Sequence, residues 1–375
     1  MLQNDRGFSL IELVVVMGIF VGVIAIAGSA FNVVLNHASI QSKTAESNIE
    51  GVLGLEMMKK DISSAGFGLP WSFQTSITYS EASQTIPAVY NDAPSGEPRG
   101  VWGEDDVNAA TLIAGTDYLV IRATSIGTSR AAQRWSYMNY TGATKPNPVV
   151  PFTWPKDNLV NANGVIVVRV GLSGTFTKEL VMAGETAFST NYGTLSSFEP
   201  NEPNVTHYIY GVDDGTPLRM PFNRADYYVK VPTDAAELPQ RCAPNTGILY
   251  KATVNQNGGA LRELPLLDCV ADMQVVYTLE PPGSGTTTET NDIFTPPDAL
   301  SAEQIRERLK AVKVYVLTHE GGRDRHYSYP NSTINVGPAG SGRTFTLTNI
   351  PDYSHYRWKV YFLTAKPENL NIATQ

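Results

Sequence analysis

The sequence predicts an α+β protein in which one long N-terminal helix packs on a large, antiparallel β-rich globular head. No charged residue occurs from Leu13 to Leu35, and no proline occurs from Asn36 to Ser64. Both properties favour a continuous helix. Beyond that stretch, short β-branched and aromatic runs alternate with turns, and the chain has 31 Gly, 24 Pro and 18 Tyr. This composition is typical of strands joined by turns.

Residues 8–35 are predicted to be the membrane half of the helix. The 23 residues from Leu13 to Leu35 are uncharged, and a helix of that length crosses a hydrocarbon core of roughly 30 Å. Glu12 lies at the start of this stretch. A charge at the centre of a membrane helix costs about 2.5–3.5 kcal/mol, and less near an end. Glu12 therefore requires an explanation.

The residues around Glu12 resemble the processing site of type IV prepilins. In that family the leader is cut after a glycine, the new N-terminal phenylalanine is N-methylated, and a glutamate stands fifth after the cut. Here Gly7 is followed by Phe8, with Glu12 at the fifth position and basic Arg6 before the glycine. An ordinary signal peptide is the alternative, with conventional cleavage near residues 25–30, but such a peptide has no acid in its apolar core.

Residues 36–66 are predicted to continue the helix as an amphipathic half. Its expected core-facing stripe comprises Ile40, Ile49, Val52, Leu53, Met57 and Glu56. Glycines at 66 and 68 and Pro70 are expected to end the helix. Lys60-Asp61-Ile62 followed by Ala65-Gly66-Phe67-Gly68 resembles the end of this helix in PilW-like minor pilins.

The remainder, residues 67–375, is predicted to be the β-rich head, with an inserted lobe at about 71–240. Residues 71–116 are expected to be loops around short strands, and residues 280–298 a mobile loop. A helix is expected at Ser301–Lys310, with Ser301 as its cap. Strands are predicted at 117–123, 164–170, 176–182, 205–210, 227–231, 248–254, 273–279, 312–317, 344–348 and 358–363.

A second resemblance to PilW-like proteins runs from about residue 240 to 320. It rests on Arg241 to Tyr250, Leu264 to Tyr277 and Leu309 to Tyr315. Both cysteines, Cys242 and Cys269, lie in this region. Export would place them where disulfides persist, so a disulfide is expected, worth roughly 3 kcal/mol in the chain-entropy model. Two unpaired buried thiols are the alternative.

No catalytic set is recognisable, and we expect no enzyme, metal or cofactor. The five histidines make no His-Glu-x-x-His spacing, and Gly-x-Ser-x-Gly is absent. The polar run 318–326 is interpreted as a loop rather than a metal site. Acids at 104–106 and 213–214 offer oxygen ligands of the kind that Ca²⁺ takes, although solvated turns are the simpler interpretation. The net charge of −8 argues against nucleic-acid binding.

The resemblance implies a minor pilin of a type IV pilus that takes part in assembly initiation or lies at the fibre tip. Residues 1–7 would be a leader removed by a prepilin peptidase, and Glu12 would set the axial register against the Phe8 amine of a neighbour. Expected partners are other major and minor pilins, an inner-membrane assembly platform, and membrane lipid before assembly. The head would lie in the periplasm first and on the fibre or cell surface later. A type II secretion pseudopilin and a pilin-anchored adhesin are the alternatives.

Overall fold

The structure, a computed structural model, describes residues 9–73, 77–140, 158–173, 175–203, 205–295 and 299–370. Three helices lie in these ranges: α1 (Leu10–Ser64), α2 (Thr85–Ala88) and α3 (Ala302–Arg308). Helix α1 runs without a break for 55 residues, as the charge-free and proline-free stretches predict. Ser301 caps α3 through a capping box with Gln304, which confirms the expected N-terminus.

Sixteen strands form the described part of the head. In chain order they are β1 (Ser72–Phe73), β2 (Val101–Val107), β3 (Thr116–Ala123), β4 (Trp135–Asn139), β5 (Gly164–Ser173), β6 (Thr175–Leu180), β7 (Thr190–Asn191), β8 (Thr206–Asp213), β9 (Asn223–Lys230), β10 (Gly247–Val254), β11 (Leu261–Leu279), β12 (Thr288–Thr290), β13 (Leu309–Glu320), β14 (Thr333–Val336), β15 (Arg343–Thr346) and β16 (Arg357–Ala365).

These strands form two sheets and a hairpin. The large sheet has the order β16-β13-β11-β10-β9-β3-β2, with β12 beside β11. The small sheet has the order β1-β6-β5-β8-β4, with β7 beside β5, and β14 pairs with β15 alone. Among the described strands only β1 and β6 pair in parallel. The predicted α+β fold with an antiparallel β-rich head is therefore confirmed.

The main core lies between α1 and one face of the large sheet. Leu55, Met58 and Ile62 of α1 are buried there against residues such as Leu119 and Val314. Alternate residues of a strand point to opposite faces, so each strand of this sheet also presents a second set of side chains away from α1. A separate apolar cluster involves the small sheet and the segment from Leu69 to Ala82.

The expected apolar stripe of α1 is wrong in part. Val52 and Leu53 are 58% and 67% exposed, and Glu56 is also exposed. The side chains of Ile40 and Ile49 lie outside the described residues. The buried stripe instead contains Gly51, Gly54 and Leu55, because α1 meets the sheet through small residues that allow a close backbone approach.

One loop prediction needs correction. Residues 280–298 were expected to be a mobile loop, but they contain β12 and the buried Ile293 and Phe294. Residues 71–116 contain the short strands β1 and β2, in agreement with the expected loops around short strands. Strand β11 begins at Leu261, well before the predicted residue 273. Residues 71–240 contribute strands to both sheets, and their treatment as an inserted lobe stays a prediction.

A buried charge network holds the segment before α2 against the second face of the large sheet. Arg122 of β3 and Arg224 of β9 stand directly opposite each other, and both are fully buried. Like charges in opposite positions repel, and Glu81 bridges them. Its Oε2 accepts hydrogen bonds from Arg122 Nε at 2.9 Å and Arg224 Nη1 at 3.0 Å. Asp226 accepts two further bonds from Arg224, at 2.7 and 2.8 Å.

Glu81 is therefore the shared counter-ion of two buried guanidinium groups. Burial acts to raise the pKa of Glu81, but Arg122 and Arg224 outweigh it and hold the pKa below its ordinary value. The segment that carries Glu81 forms no helix or strand, and this charge holds it together with the buried Ile77, Tyr79 and Ala82.

We expect Glu81→Gln to destabilise the head by about 3–5 kcal/mol, because it leaves two buried arginines without their common carboxylate. Urea unfolding of the full chain in detergent, followed by tryptophan fluorescence, measures this loss. The matched control is Glu56→Gln, which removes an exposed ion pair with Lys59 and should change stability by less than about 1 kcal/mol. Equal midpoints for the two variants would contradict the role of the network.

Candidate assembly site: the N-terminal helix and its attachment

The first part of α1 is an isolated apolar helix in this chain. Residues Leu10–Gly28 are long and apolar enough to cross a membrane, and none of them is buried by the described residues. Leu10 is 83% and Ile26 70% exposed. At 19 residues the segment is about 28 Å long, close to the thickness of a hydrocarbon core. Its surface is available to lipid or to other helices.

Glu12 forms a capping box at the start of this segment. Its Oε2 accepts a hydrogen bond from the Ser9 N–H at 2.9 Å, and Ser9 Oγ accepts one from the Glu12 N–H at 3.3 Å. The carboxylate thus lies at the positive end of the helix and satisfies a free N–H. The box uses atoms of residues 9 and 12 only, so it does not depend on the expected leader. Gly7 and Phe8 lie outside the described residues.

Two glycines bring α1 close to the large sheet. A Cβ on Gly54 would overlap the backbone carbonyl of Leu266 in β11, and one on Gly51 would lie 3.1 Å from the Tyr361 ring of β16. By contrast, no described atom lies within 4 Å of a Cβ placed on Gly18, Gly22 or Gly28. The first pair of glycines therefore serves packing on the head.

Asp61 anchors the last turns of α1 in the sheet. It is 6% exposed, accepts a hydrogen bond from Tyr227 Oη at 2.6 Å, and forms an ion pair with Lys251. Tyr227 lies on β9 and Lys251 on β10, so a single carboxylate joins the helix to two strands. Burial raises the pKa of Tyr227 well above its ordinary value, which keeps its hydroxyl a donor. Sequence reasoning missed this role, because Asp61 resembles any polar residue near a helix end.

The glycines after α1 allow a tight exit onto the sheet. Gly66 and Gly68 have positive φ angles of 82° and 69°. A Cβ on Gly68 would overlap the Thr124 side chain, and one on Gly66 would overlap Leu370. The Gly66 N–H donates to Arg122 O at 3.0 Å. The expected helix terminator therefore also packs the end of α1 between β3 and the C-terminal segment.

The expected disulfide is present between Cys242 and Cys269, 27 residues apart. It joins the loop between β9 and β10 to β11. Nearby, His319 is buried between the rings of Tyr356 and Trp358, at 4.6 and 5.2 Å between centroids. Burial lowers the pKa of His319 to about 4, and its Nε2 accepts the Ala243 N–H at 2.8 Å. His319 is thus a neutral core residue at pH 7.

The acids at 104–106 belong to a strand bulge rather than a solvated turn. Oxygens of Asp105, Asp106 and Asp117 all lie within 4.8 Å of one another. Asp117 accepts N–H bonds from Asp106 at 3.1 Å and Val275 at 2.6 Å. Burial, with the nearby acids Asp105 and Asp272, raises the pKa of Asp117 to about 8 against the effect of these bonds. Asp117 is therefore protonated at neutral pH.

Two comparisons with known families match this chain. The prokaryotic N-terminal methylation motif matches residues 2–28, and the family of type IV pilus-assembly protein W matches residues 226–369. No curated protein and no solved structure gives a significant match. The first match contains Glu12 and the apolar segment Leu10–Gly28 of α1. The second runs from Asp226 on β9 to Asn369, just beyond the end of β16, and so includes most of the strands on which α1 packs.

The chain is accordingly a type IV prepilin-like protein, with a membrane-anchoring helix and a β-rich head. More particularly, it is PilW-like and related to the type IV pilus.

We expect Gly54→Ala to destabilise the head by about 1–3 kcal/mol, because its methyl group forces α1 away from Leu266. Gly22→Ala is the control, since a Cβ there meets nothing within 4 Å. All five tryptophans lie outside α1, so their fluorescence during urea unfolding in detergent reports the head. A Gly54→Ala midpoint equal to that of Gly22→Ala would show that the close approach is unimportant.

We expect Asp117→Asn to remove one component of the pH dependence of stability. The native pKa of Asp117 is about 8 and an unfolded aspartate titrates near 3.9, so the native state holds a proton that the unfolded state releases. This group therefore makes stability fall as pH rises from about 4 to 8. The variant should flatten that fall and exceed the wild type at pH 8, as measured by urea unfolding. If the stabilities of Asp117→Asn and the wild type changed in parallel with pH, Asp117 would not be protonated in the native state.

Proposed function

We propose that this chain is a minor pilin: a low-copy subunit that takes part in type IV pilus assembly initiation or lies at the fibre tip. The observation that carries the proposal is an apolar helix with a single acid at its start, continuous with a helix packed on a PilW-like sheet. In this proposal the leader, residues 1–7, is removed by a prepilin peptidase, and Phe8 becomes the N-methylated N-terminus.

In the proposed mechanism Glu12 sets the axial register of insertion. Within its own chain the carboxylate accepts only the Ser9 N–H among the described atoms, which leaves it further acceptor sites. The N-terminal amine of a neighbouring subunit remains charged after methylation, and it would donate to these acceptor sites of Glu12. In an apolar surrounding the pair is favoured over either isolated charge, and a buried polar pair of this kind specifies one register over others. The capping box would keep the Glu12 carboxylate in position at the start of the helix before the neighbouring subunit binds.

The size of the head supports a terminal position. Residues 71–375 amount to about 305 residues, carried by a single helix. Neighbouring heads crowd less at the tip of a fibre than along its shaft. Before assembly the helix would lie in the inner membrane as a single span, surrounded by lipid, with the head in the periplasm. Contacts would then follow with the assembly platform and with major and minor pilins. A pseudopilin of type II secretion would share all these features.

A pilin-anchored adhesin is the second candidate, and one observation favours it. A cleft of about 500 Å³ lies on the face of the large sheet opposite α1, with Ile86, Leu112, Tyr228, Lys230 and Glu263 among its lining residues. This volume is within the range of small-molecule sites. The cleft would stay accessible when α1 is enclosed by other helices. Saturable binding of a surface glycan or peptide to the full chain would support this candidate.

We expect Glu12→Gln to lower incorporation into fibres at least about tenfold, which corresponds to 1.4 kcal/mol, while cleavage and membrane level stay unchanged. Glutamine at this position can still accept the Ser9 N–H, so the variant removes the charge and keeps the capping geometry. Glu12→Ala should behave in the same way.

Ser9→Ala is the matched control, because it removes one capping bond and keeps the charge. We expect it to retain more incorporation than Glu12→Gln, as measured by immunoblots of sheared fibres against whole cells. Wild-type incorporation of Glu12→Gln would eliminate the register mechanism.

A further inference from the structure

The cleft opposite α1 is lined by several separate parts of the head. Residues of β3, β9 and β11 line it together with α2 and with residues 110–112. Its volume of about 500 Å³ is within the range of small-molecule sites. Strands β3, β9 and β11 each have a neighbouring strand on both sides, so the cleft opens on a sheet face rather than on a sheet edge.

Hydrogen bonds hold the lining segments of this cleft in place. Arg224 Nη2 donates to Pro87 O at 2.8 Å, and the Leu261 N–H donates to Gln84 Oε1 at 3.0 Å, so α2 is fixed to β9 and β11. The Ile113 N–H donates to a backbone carbonyl of β9 at 3.0 Å, which fixes the turn before it. The cleft is therefore formed before a ligand binds, and binding does not have to order these segments.

The two charged residues that line the cleft, Lys230 and Glu263, neutralise each other. Lys230 Nζ donates to both carboxylate oxygens of Glu263, at 2.5 and 2.6 Å, and Tyr228 Oη donates to the same carboxylate at 2.5 Å. An ammonium group has three donors and a carboxylate about four acceptor sites. One donor of Lys230 and one acceptor site of Glu263 are therefore left for a ligand. The cleft offers hydrogen bonds without net charge, which favours an uncharged ligand.

Hydroxyl groups and apolar side chains make up most of the remaining lining. Thr85, Thr111 and Thr233 are exposed there, and none of their hydroxyls forms a hydrogen bond with another described residue. Each of these hydroxyls can both donate and accept. The apolar lining residues include Ile86, Pro87, Leu112, Val231 and Leu261. A ligand that suits this surface carries hydroxyl groups beside apolar C–H surfaces.

Other classes of ligand fit this lining less well. A purely apolar ligand would leave the threonine hydroxyls and the remaining Lys230 donor without partners, which costs free energy when they are buried. A charged ligand would meet an ion pair of zero net charge. An extended peptide typically pairs its backbone with a sheet edge, whereas the strands below the cleft are already paired on both sides.

We propose that this cleft is a binding site for a neutral oligosaccharide. The apolar side chains contact the C–H face of a sugar ring. The threonine hydroxyls and the Lys230–Glu263 pair bind the sugar hydroxyls, with the ammonium group as donor and the carboxylate as acceptor. The site goes beyond the proposed minor-pilin function and gives a ligand class to the adhesin candidate. It depends on the head alone, so its test is independent of fibre incorporation.

A glycan array tests this assignment on the full chain, in a detergent that has no sugar head group. The array carries neutral oligosaccharides of hexoses and N-acetylhexosamines, related oligosaccharides that contain sialic or uronic acids, and short peptides. We expect the neutral oligosaccharides to bind best. Calorimetry with the strongest of them should show saturable binding at one site per chain with a Kd below about 1 mM. Binding only to acidic sugars or to peptides, or no binding, overturns the assignment.

A bulky substitution places the binding in the cleft. Thr111→Trp fills the cleft, and we expect it to weaken binding of the neutral oligosaccharide at least about tenfold without a shift in the unfolding midpoint. Thr333→Trp is the matched control, since it adds the same ring to an exposed threonine of β14, outside the large sheet. Equal affinities of the two variants would place the binding elsewhere and overturn the assignment.

Glu263→Gln tests the role of the ion pair. The variant keeps the size of the side chain but leaves the Lys230 charge without its partner. Because charge complementarity determines specificity, we expect the ratio of affinities for acidic over neutral oligosaccharides to rise at least about fivefold. A ratio equal to that of the wild type would contradict the assignment.

Discussion

The close backbone contact between α1 and β11 at Gly54 is the constraint on which the rest of the molecule depends. Residues Leu10–Gly28 of α1 are not buried by the described head, and among the described side chains of α1 those from Gly51 onward pack on the large sheet. Gly51 and Gly54 allow the helix to approach the sheet, and Asp61 then fixes it to β9 and β10 through Tyr227 and Lys251.

The same constraint explains what the sequence did and did not predict. Hydrophobic runs and the absence of proline are properties of short stretches of sequence. They correctly predicted α1 and most of the strands, because these elements depend on local preferences. The face that α1 buries could not be predicted from apolar spacing, because Gly51 and Gly54 contribute to the contact beside Leu55 and Met58, whereas Val52 and Leu53 remain exposed. The burial of Arg122 and Arg224 could not be predicted from the sequence either, since an arginine in a single strand usually indicates an exposed face. Only the register of β3 against β9 brings the two residues to Glu81.

The N-terminal part of the candidate assembly site could be predicted, because its motif consists of residues that are close together in the sequence. Gly7, Phe8 and Glu12 stand at fixed spacing, and the two family matches cover residues 2–28 and 226–369. Between the matches lie the small sheet and the segment that carries Glu81. The cleft opposite α1 is formed partly by this segment and partly by β9 and β11. A property specific to this chain, such as ligand binding, is best sought there, whereas assembly is best explained by α1 and the sheet beneath it.

Mass spectrometry of fibres sheared from cells tests whether this chain is a processed fibre subunit. We predict that the chain is present at low copy relative to the main subunit, and that its N-terminal peptide begins with an N-methylated Phe8. The full-length chain with residues 1–7 still attached, or fibres that lack the chain altogether while it accumulates in the membrane, would contradict it.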